Sequence, residues 1–331
     1  MSITEIRWPR LEEVVDDISR IIRGSEDLGA LAHKDADADS LGSALGFSLS
    51  LREMGKRVHA MAPAPVPRLL DYLPGFDTLV ETAPPLNALF TFDCAVLQRF
   101  GEKRPLVESI DVVVNVDHHV TNAQFGTINL VLTDAASTGE LVYDLLKAWK
   151  LHIPPGAASC LYATILSDTG GFRHDNTSAH ALRAAAELVQ LGADPVTIAR
   201  GLFKSRPASS LRMQGRILQG LHYEFGDRLV WGSISQAGLR DSGASTDQAD
   251  SAIDQLNTVR GQELAILFKE AGPRLTKVSI RSRDQVDAAE LAARFGGGGH
   301  RRAAGIELAL PLKDAEAKVL AEVRARMNDL A

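Results

Sequence analysis

The run Val112-Val113-Val114-Asn115-Val116-Asp117-His118-His119 decides the fold. Its valines follow one another with almost no polar alternation, the pattern of a short strand buried on both faces. That strand passes directly into three titratable side chains, so Asp117, His118 and His119 stand at its carboxyl end. Consecutive histidines are awkward in a core, where every ring nitrogen needs a partner. Taken alone the triplet reads equally well as a polar turn, so its surroundings decide.

Outward from this strand the same grammar repeats. Residues 88–92 form an apolar run ending in Asp93, residues 28–33 another ending in His33, and residues 57–62 and 128–132 two more. Between them, Leu41, Leu45, Leu49 and Met54 recur near helical spacing and Gly55 closes the segment. A proline-rich loop (Pro63, Pro65, Pro67) and a short helix stopping at Pro74-Gly75 follow. Strands alternating with helices imply βαβ units and a largely parallel sheet. Residues 137–149, 156–166 and 178–191 read as helices, and Gly192-Ala193-Asp194-Pro195 breaks the pattern. Residues 196–221 read as helical and polar. Beyond them strand-like runs (229–235, 263–269, 277–282, 305–310) are interleaved with helical ones (249–258, 287–295). The expected architecture is α/β. A parallel-sheet domain over 1–192 is followed by a helical connector over 193–222 and a smaller α/β domain with a mixed sheet over 223–331.

A chain of 331 residues accommodates two such domains. No apolar run is long enough to cross a bilayer, and Met1-Ser2-Ile3-Thr4-Glu5 lacks a basic-then-apolar leader, so a cytoplasmic location is expected. Cys94 and Cys160, far apart, form no metal-type pair and read as reduced thiols. The net charge of -6 argues against a broad footprint on long nucleic acid, but not against a small phosphorylated substrate.

The chemistry gathers at the strand ends. His33-Lys34-Asp35-Ala36-Asp37-Ala38-Asp39 lies past one strand and before a helix, at the edge where parallel sheets bind ligands. Helix capping by Asp39 or Ser40 would explain one acidic residue, not three carboxylates and an imidazole. Asp93 ends a second strand. Asp168 shares a helical face with Leu161 and Ile165, where a carboxylate needs a cation or donors. Mixed carboxylate and imidazole donors suit Mn²⁺ better than Mg²⁺ or Ca²⁺, which take all-oxygen shells. A carboxylate bridging two cations about 3.5–4 Å apart is the arrangement used to cleave phosphoesters. Farther on, Gly296-Gly297-Gly298-Gly299-His300-Arg301 offers backbone N–H groups and positive charge to an anion, with Arg281 available to join them.

In this order, His33…Asp37-Ala38-Asp39…Gly42-Ser43, Asp93, Asp117-His118-His119 and Asp168-Thr169-Gly170 resemble the four motifs of the DHH phosphoesterase superfamily. The 296–305 segment is similar to the signature of its DHH-associated C-terminal domain. The subgroup nearest in length and layout is the bacterial nanoRNase and pAp phosphatase type. The resemblance implies one Mn²⁺ on His33, Asp37 and Asp93, and a second on Asp39, Asp93, His118 and Asp168, with Asp93 bridging. It further implies that His119 meets the scissile phosphate while Asp117 orients a neighbouring histidine. Arg281, Gly298, Gly299, His300 and Arg301 would bind the far phosphate or nucleotide. Ala36-Asp37-Ala38-Asp39 stands where many relatives carry Pro-Asp-Gly-Asp, and Asp35 adds a carboxylate; Asp37 is preferred over it because it keeps the spacing. The implied substrates are very short RNA and 3′-phosphoadenosine 5′-phosphate (pAp). Turnover of cyclic or linear dinucleotides, pyrophosphate hydrolysis and a non-catalytic nucleotide sensor are the alternatives. A homodimer is the assembly usual in the subgroup.

Overall fold

The computed structural model describes residues 9–329, which divide into two compact units between Ser205 and Arg206 in the chain. The first contains α1 (Pro9–Gly24), β1 (Asp27–Leu31), α2 (Ala38–Glu53), β2 (Arg57–Met61) and β3 (Ala88–Phe92). It continues with α3 (Arg104–Ser109), β4 (Val113–Asp117), β5 (Ile128–Val131), α4 (Thr138–Ala148), α5 (Pro155–Asp168), α6 (Ala179–Gln190) and α7 (Pro195–Lys204). Its five strands are all parallel, in the order β2-β1-β3-β4-β5.

The valine-rich run is buried as its composition requires. Val114 and Val116 join the larger core with Phe90 and Phe92, while Val113 faces a smaller one with Leu31, Leu89 and Phe100. Phe47 of α2 packs on Phe90 and Phe92, with ring centroids 4.5 and 5.3 Å apart. Helix α2 is buried on nearly every side. Its internal Ser48 and Ser50 hydroxyls donate to the Ala44 and Gly46 carbonyls, which makes their burial tolerable. At Gly42 a Cβ would come within 2.9 Å of the Cys160 carbonyl oxygen. Glycine there lets the first turns of α2 lie against α5, so the start of one helix meets the end of the other.

In this strand order the topological switch point lies between β1 and β3, where open α/β sheets take their ligands. His33 follows β1, Asp93 follows β3 and Asp117 ends β4.

The second unit contains α8 (Ala208–Gln219), β6 (His222–Glu224), β7 (Leu229–Ile234), α9 (Gln236–Ser242), α10 (Ile253–Leu256), β8 (Leu264–Gly272) and β9 (Leu275–Ser282). It ends with α11 (Ala288–Ala293), β10 (Gly298–His300), β11 (Ala303–Leu308) and α12 (Leu312–Asp329). Its sheet, β10-β11-β9-β8-β7-β6, is mixed: β7 and β8 run parallel and the other pairs antiparallel. One face packs on Leu291, Val319 and Val323, the other on Met213, Ile217 and Ile253.

The α/β class and both sheet types agree with the sequence expectation. The helical stretch expected over 196–221 is two helices, since Pro207 cannot continue α7 and instead caps α8. The terminal helices α1 and α12 and the short strands β6 and β10 lie outside that expectation. Among the described residues no helix is long and apolar enough to cross a membrane.

Candidate metal centre

Seven side chains converge at the carboxyl edge of the parallel sheet. His33, Asp37 and Asp93 offer ligand atoms within 4.8 Å of one another, as do Asp39, His118 and Asp168, and also Asp93, His118 and His119. Asp35 belongs to none of these groups and is exposed.

Each ligand is aimed by local structure. His33 is fully buried, and its Nδ1–H donates to the Lys34 carbonyl at 2.7 Å. A carbonyl can only accept, so Nδ1 carries a proton, and Arg99, which can only donate, meets Nε2 at 2.8 Å, so Nε2 presents the lone pair. That nitrogen faces Asp93 Oδ2 at 3.3 Å and Asp37 Oδ1 at 3.8 Å. Asp37 is the N-cap of α2, accepting from the Ser40 N–H at 2.9 Å, so capping falls on Asp37 rather than on Asp39 or Ser40. Asp39 is fully buried and accepts from the Thr138 and Gly139 N–H groups at 2.8 and 3.1 Å. These belong to the first turn of α4, whose positive end favours a carboxylate.

Asp93 leaves β3 in a left-handed conformation, φ 57°, which costs energy for any residue other than glycine and is least unfavourable for Asn and Asp. The turn splits its oxygens between two neighbourhoods. Oδ2 faces His33, whereas Oδ1 faces His118 Nε2 and His119 Nδ1, each at 3.4 Å. Thr138 Oγ1 donates to Oδ1 at 3.2 Å.

The Asp-His-His triplet divides its work. His118 Nδ1–H donates to the Ala135 carbonyl at 3.2 Å, so Nε2 is the nitrogen turned toward Asp93, Asp168 and Asp39 at 3.4, 3.5 and 3.7 Å. Asp117 is fully buried; its Oδ1 accepts His119 Nδ1–H at 2.7 Å and Asn122 donates to its other oxygen. Asp117 therefore orients His119.

These contacts set acceptor against acceptor. Burial, followed by the nearby Asp93 carboxylate, pushes Asp39 up to about 7. Burial and Asp39 raise Asp168 well above the carboxylate range. Burial opposes the charge on Asp93 too, but the His118 and His33 imidazoles hold it well below that range. His118 is raised well above its ordinary value, since Asp93, Asp39 and Asp168 outweigh its burial. Without a cation, only shared protons could relieve this opposition. Divalent cations would meet the same demand and take the protons' places, so the donor set fits metal.

Sequence reading missed three residues here: Thr138, Asn122 and Arg99. Arg99 Nη2 donates to His33 Nε2 at 2.8 Å. Asn122 lies in a loop, Thr138 at a helix start and Arg99 in a short 3-10 segment, where no periodicity marks them.

In the second unit, Arg281, Ala303 and His300 stand on one row of register across β9, β11 and β10. The glycines are not an open loop: Gly298–His300 is an edge strand paired with β11, and the ladder uses part of its backbone donors. Gly299 adopts φ 148°, and a Cβ there would strike the backbone of Ala303 and Ala304. Arg281 Nε lies 3.6 Å from Asp254, and Arg301 is exposed. The His300 side chain lies outside the described residues.

Carboxylates and imidazoles converging at the switch point of a parallel sheet define a metal-dependent enzyme. Residues 30–165 match the model of the DHH family, N-terminal domain, and residues 231–329 match the DHHA1 domain. The bifunctional oligoribonuclease and PAP phosphatase NrnA of Thermus thermophilus is 33% identical over 97% of this chain and 96% of its own. The protein of the same name from Bacillus subtilis is 27% identical over 83% and 87%. The crystal structure of an exopolyphosphatase-related protein from Bacteroides fragilis shares the fold. Its TM-score is 0.88 over 96% of this chain and 97% of that one, at 22% identity. The chain belongs to the DHH family of metal-dependent phosphoesterases.

Proposed function

We propose that this protein hydrolyses short oligoribonucleotides to 5′-mononucleotides and pAp to AMP, using two Mn²⁺ ions. The observation that carries the reading is the split of Asp93, whose two oxygens serve two separate histidine neighbourhoods. His33, Asp37 and Asp93 would hold one cation, and Asp39, Asp93, His118 and Asp168 the other. Bound there, the pair would neutralise phosphate charge and make water acidic enough to attack at neutral pH.

The chain's own residues do the rest. His119, held through Nδ1 by Asp117, presents Nε2 to the scissile phosphate. Arg281, Gly298, Gly299, His300 and Arg301 bind the far phosphate or nucleotide, and residues 193–222 serve as the connector. The net charge of -6 favours short substrates over long strands. The near full-length likeness to NrnA supports both activities. A cytoplasmic homodimer is the form in which we expect it to act.

The test compares Mn²⁺-stimulated product release from pAp, a diribonucleotide, cyclic di-AMP and pyrophosphate, side by side. The first two should turn over fastest. Cleavage of cyclic di-AMP or pyrophosphate alone would reject the assignment.

A further inference from the structure

The Arg99 guanidinium lies against the proposed metal centre, and none of the roles above accounts for it. We propose that Arg99 is a phosphate-binding residue released by the cation: the two compete for one lone pair, on His33 Nε2. The inference rests on the reading that His33, Asp37 and Asp93 hold a divalent ion.

The geometry leaves His33 one free valence. Its Nδ1–H is committed to the Lys34 carbonyl and a guanidinium can only donate, so Nε2 presents a single in-plane lone pair. Arg99 Nη2 donates into that lone pair at 2.8 Å. The same nitrogen faces Asp93 at 3.3 Å and Asp37 at 3.8 Å, and a cation held by these carboxylates needs the imidazole lone pair as well. One lone pair cannot serve both partners, so metal ligation by His33 expels the guanidinium.

The expelled group stays close by. Arg99 belongs to the 3-10 segment Leu97–Lys103, and its carbonyl accepts the Lys34 N–H at 2.6 Å. Its neighbour Phe100 is fully buried. The backbone is therefore pinned beside the His33 loop and only the side chain is free to swing. Arg99 makes no ion pair among the described residues, and the imidazole is its only side-chain partner. A guanidinium keeps its charge at any physiological pH and carries five N–H donors in a planar fork. The ligand matching that fork is a phosphate oxyanion pair, and the phosphate of a metal-loaded substrate arrives at this place.

Titration calorimetry on the full chain tests this, with Mn²⁺ alone as the first probe and inorganic phosphate on Mn²⁺-loaded protein as the second. Arg99→Gln should bind Mn²⁺ about 2–10-fold more tightly, since a competing donor is gone, and phosphate about 10–100-fold more weakly. Mn²⁺ affinity unchanged or reduced, or phosphate affinity unchanged, overturns the proposal. In a His33→Ala background the Arg99 substitution should leave Mn²⁺ affinity within about twofold. Equal tightening there would mean simple charge repulsion and would overturn the shared lone pair. Wild-type Mn²⁺ stoichiometry and affinity in His33→Ala itself would instead remove the metal reading underneath. Arg99→Lys keeps the charge without the fork and serves if the glutamine variant does not fold. It should lose phosphate affinity by a smaller factor, and wild-type phosphate affinity overturns the proposal.

Discussion

Each sheet buries a carboxylate, and the two are satisfied in opposite ways. Glu263, just before β8, is 7% exposed, and its Oε1 accepts from the N–H groups of Gln285, Val286 and Asp284 at 2.6, 2.9 and 3.1 Å. Its charge is met by the backbone, so it organises a turn. Asp93, 3% exposed, has one neutral donor, Thr138, and otherwise confronts imidazoles. Among the described residues the Asp168 carboxylate accepts no backbone N–H and faces the His118 ring at 3.5 Å. A buried carboxylate saturated by N–H groups is part of the scaffold, whereas one facing other acceptors is built for a cation.

The sharpest way to break this contrast is Asp93→Ala. It should reduce hydrolysis to background and lower Mn²⁺ stoichiometry while the circular dichroism spectrum stays native; a near wild-type rate ends the bridging role. Asp117→Asn keeps the shape but weakens the hold on His119. We expect a loss of about 10–100-fold in kcat with less change in Mn²⁺ affinity, measured by steady-state kinetics and calorimetry.

The pH dependence follows from the raised groups. Asp39, moved from 3.8 to about 7, and the raised Asp168 bind protons in the folded chain where the unfolded chain has released them. His118 acts in the same direction above its ordinary 6.5. Stability without metal should therefore fall as pH rises from about 4 through 7, by roughly 2–4 kcal/mol, and saturating Mn²⁺ should flatten the slope. Melting temperatures of chelated protein that rise over this range would contradict the assignment.

Glu263→Ala is the counterpart on the other sheet. It should cost about 1–3 kcal/mol in denaturant unfolding by orphaning three N–H groups, yet leave Mn²⁺ binding unchanged. The smallest effect is expected for His300→Ala: a KM several-fold higher with kcat largely retained. An unchanged KM would count against its contact with substrate.

Much of this was legible in sequence because it is local. Apolar runs ending in His33, Asp93 and Asp117 announce parallel strands with polar carboxyl ends, and residues 88–92 coincide with β3. Leu11, Ile18 and Ile22, all buried, mark α1 at helical spacing, a signal available in the sequence but not read there. The glycine run looked like an open anion cradle because composition does not reveal pairing; β11 turns it into an edge strand.

What the sequence determined by itself was the set of donors and the edge on which they stand, since strand period and chain direction are properties of neighbouring residues. Which donors meet was decided only by the tertiary structure. The order β2-β1-β3-β4-β5 sets β1 beside β3, the left-handed turn at Asp93 divides its oxygens, and close packing of α2 on α5 brings Asp39 to Asp168. Arg99 reaches His33 across a separation of 66 positions. Such meetings depend on how buried surfaces from distant segments fit together, and no local pattern of residues encodes that fit.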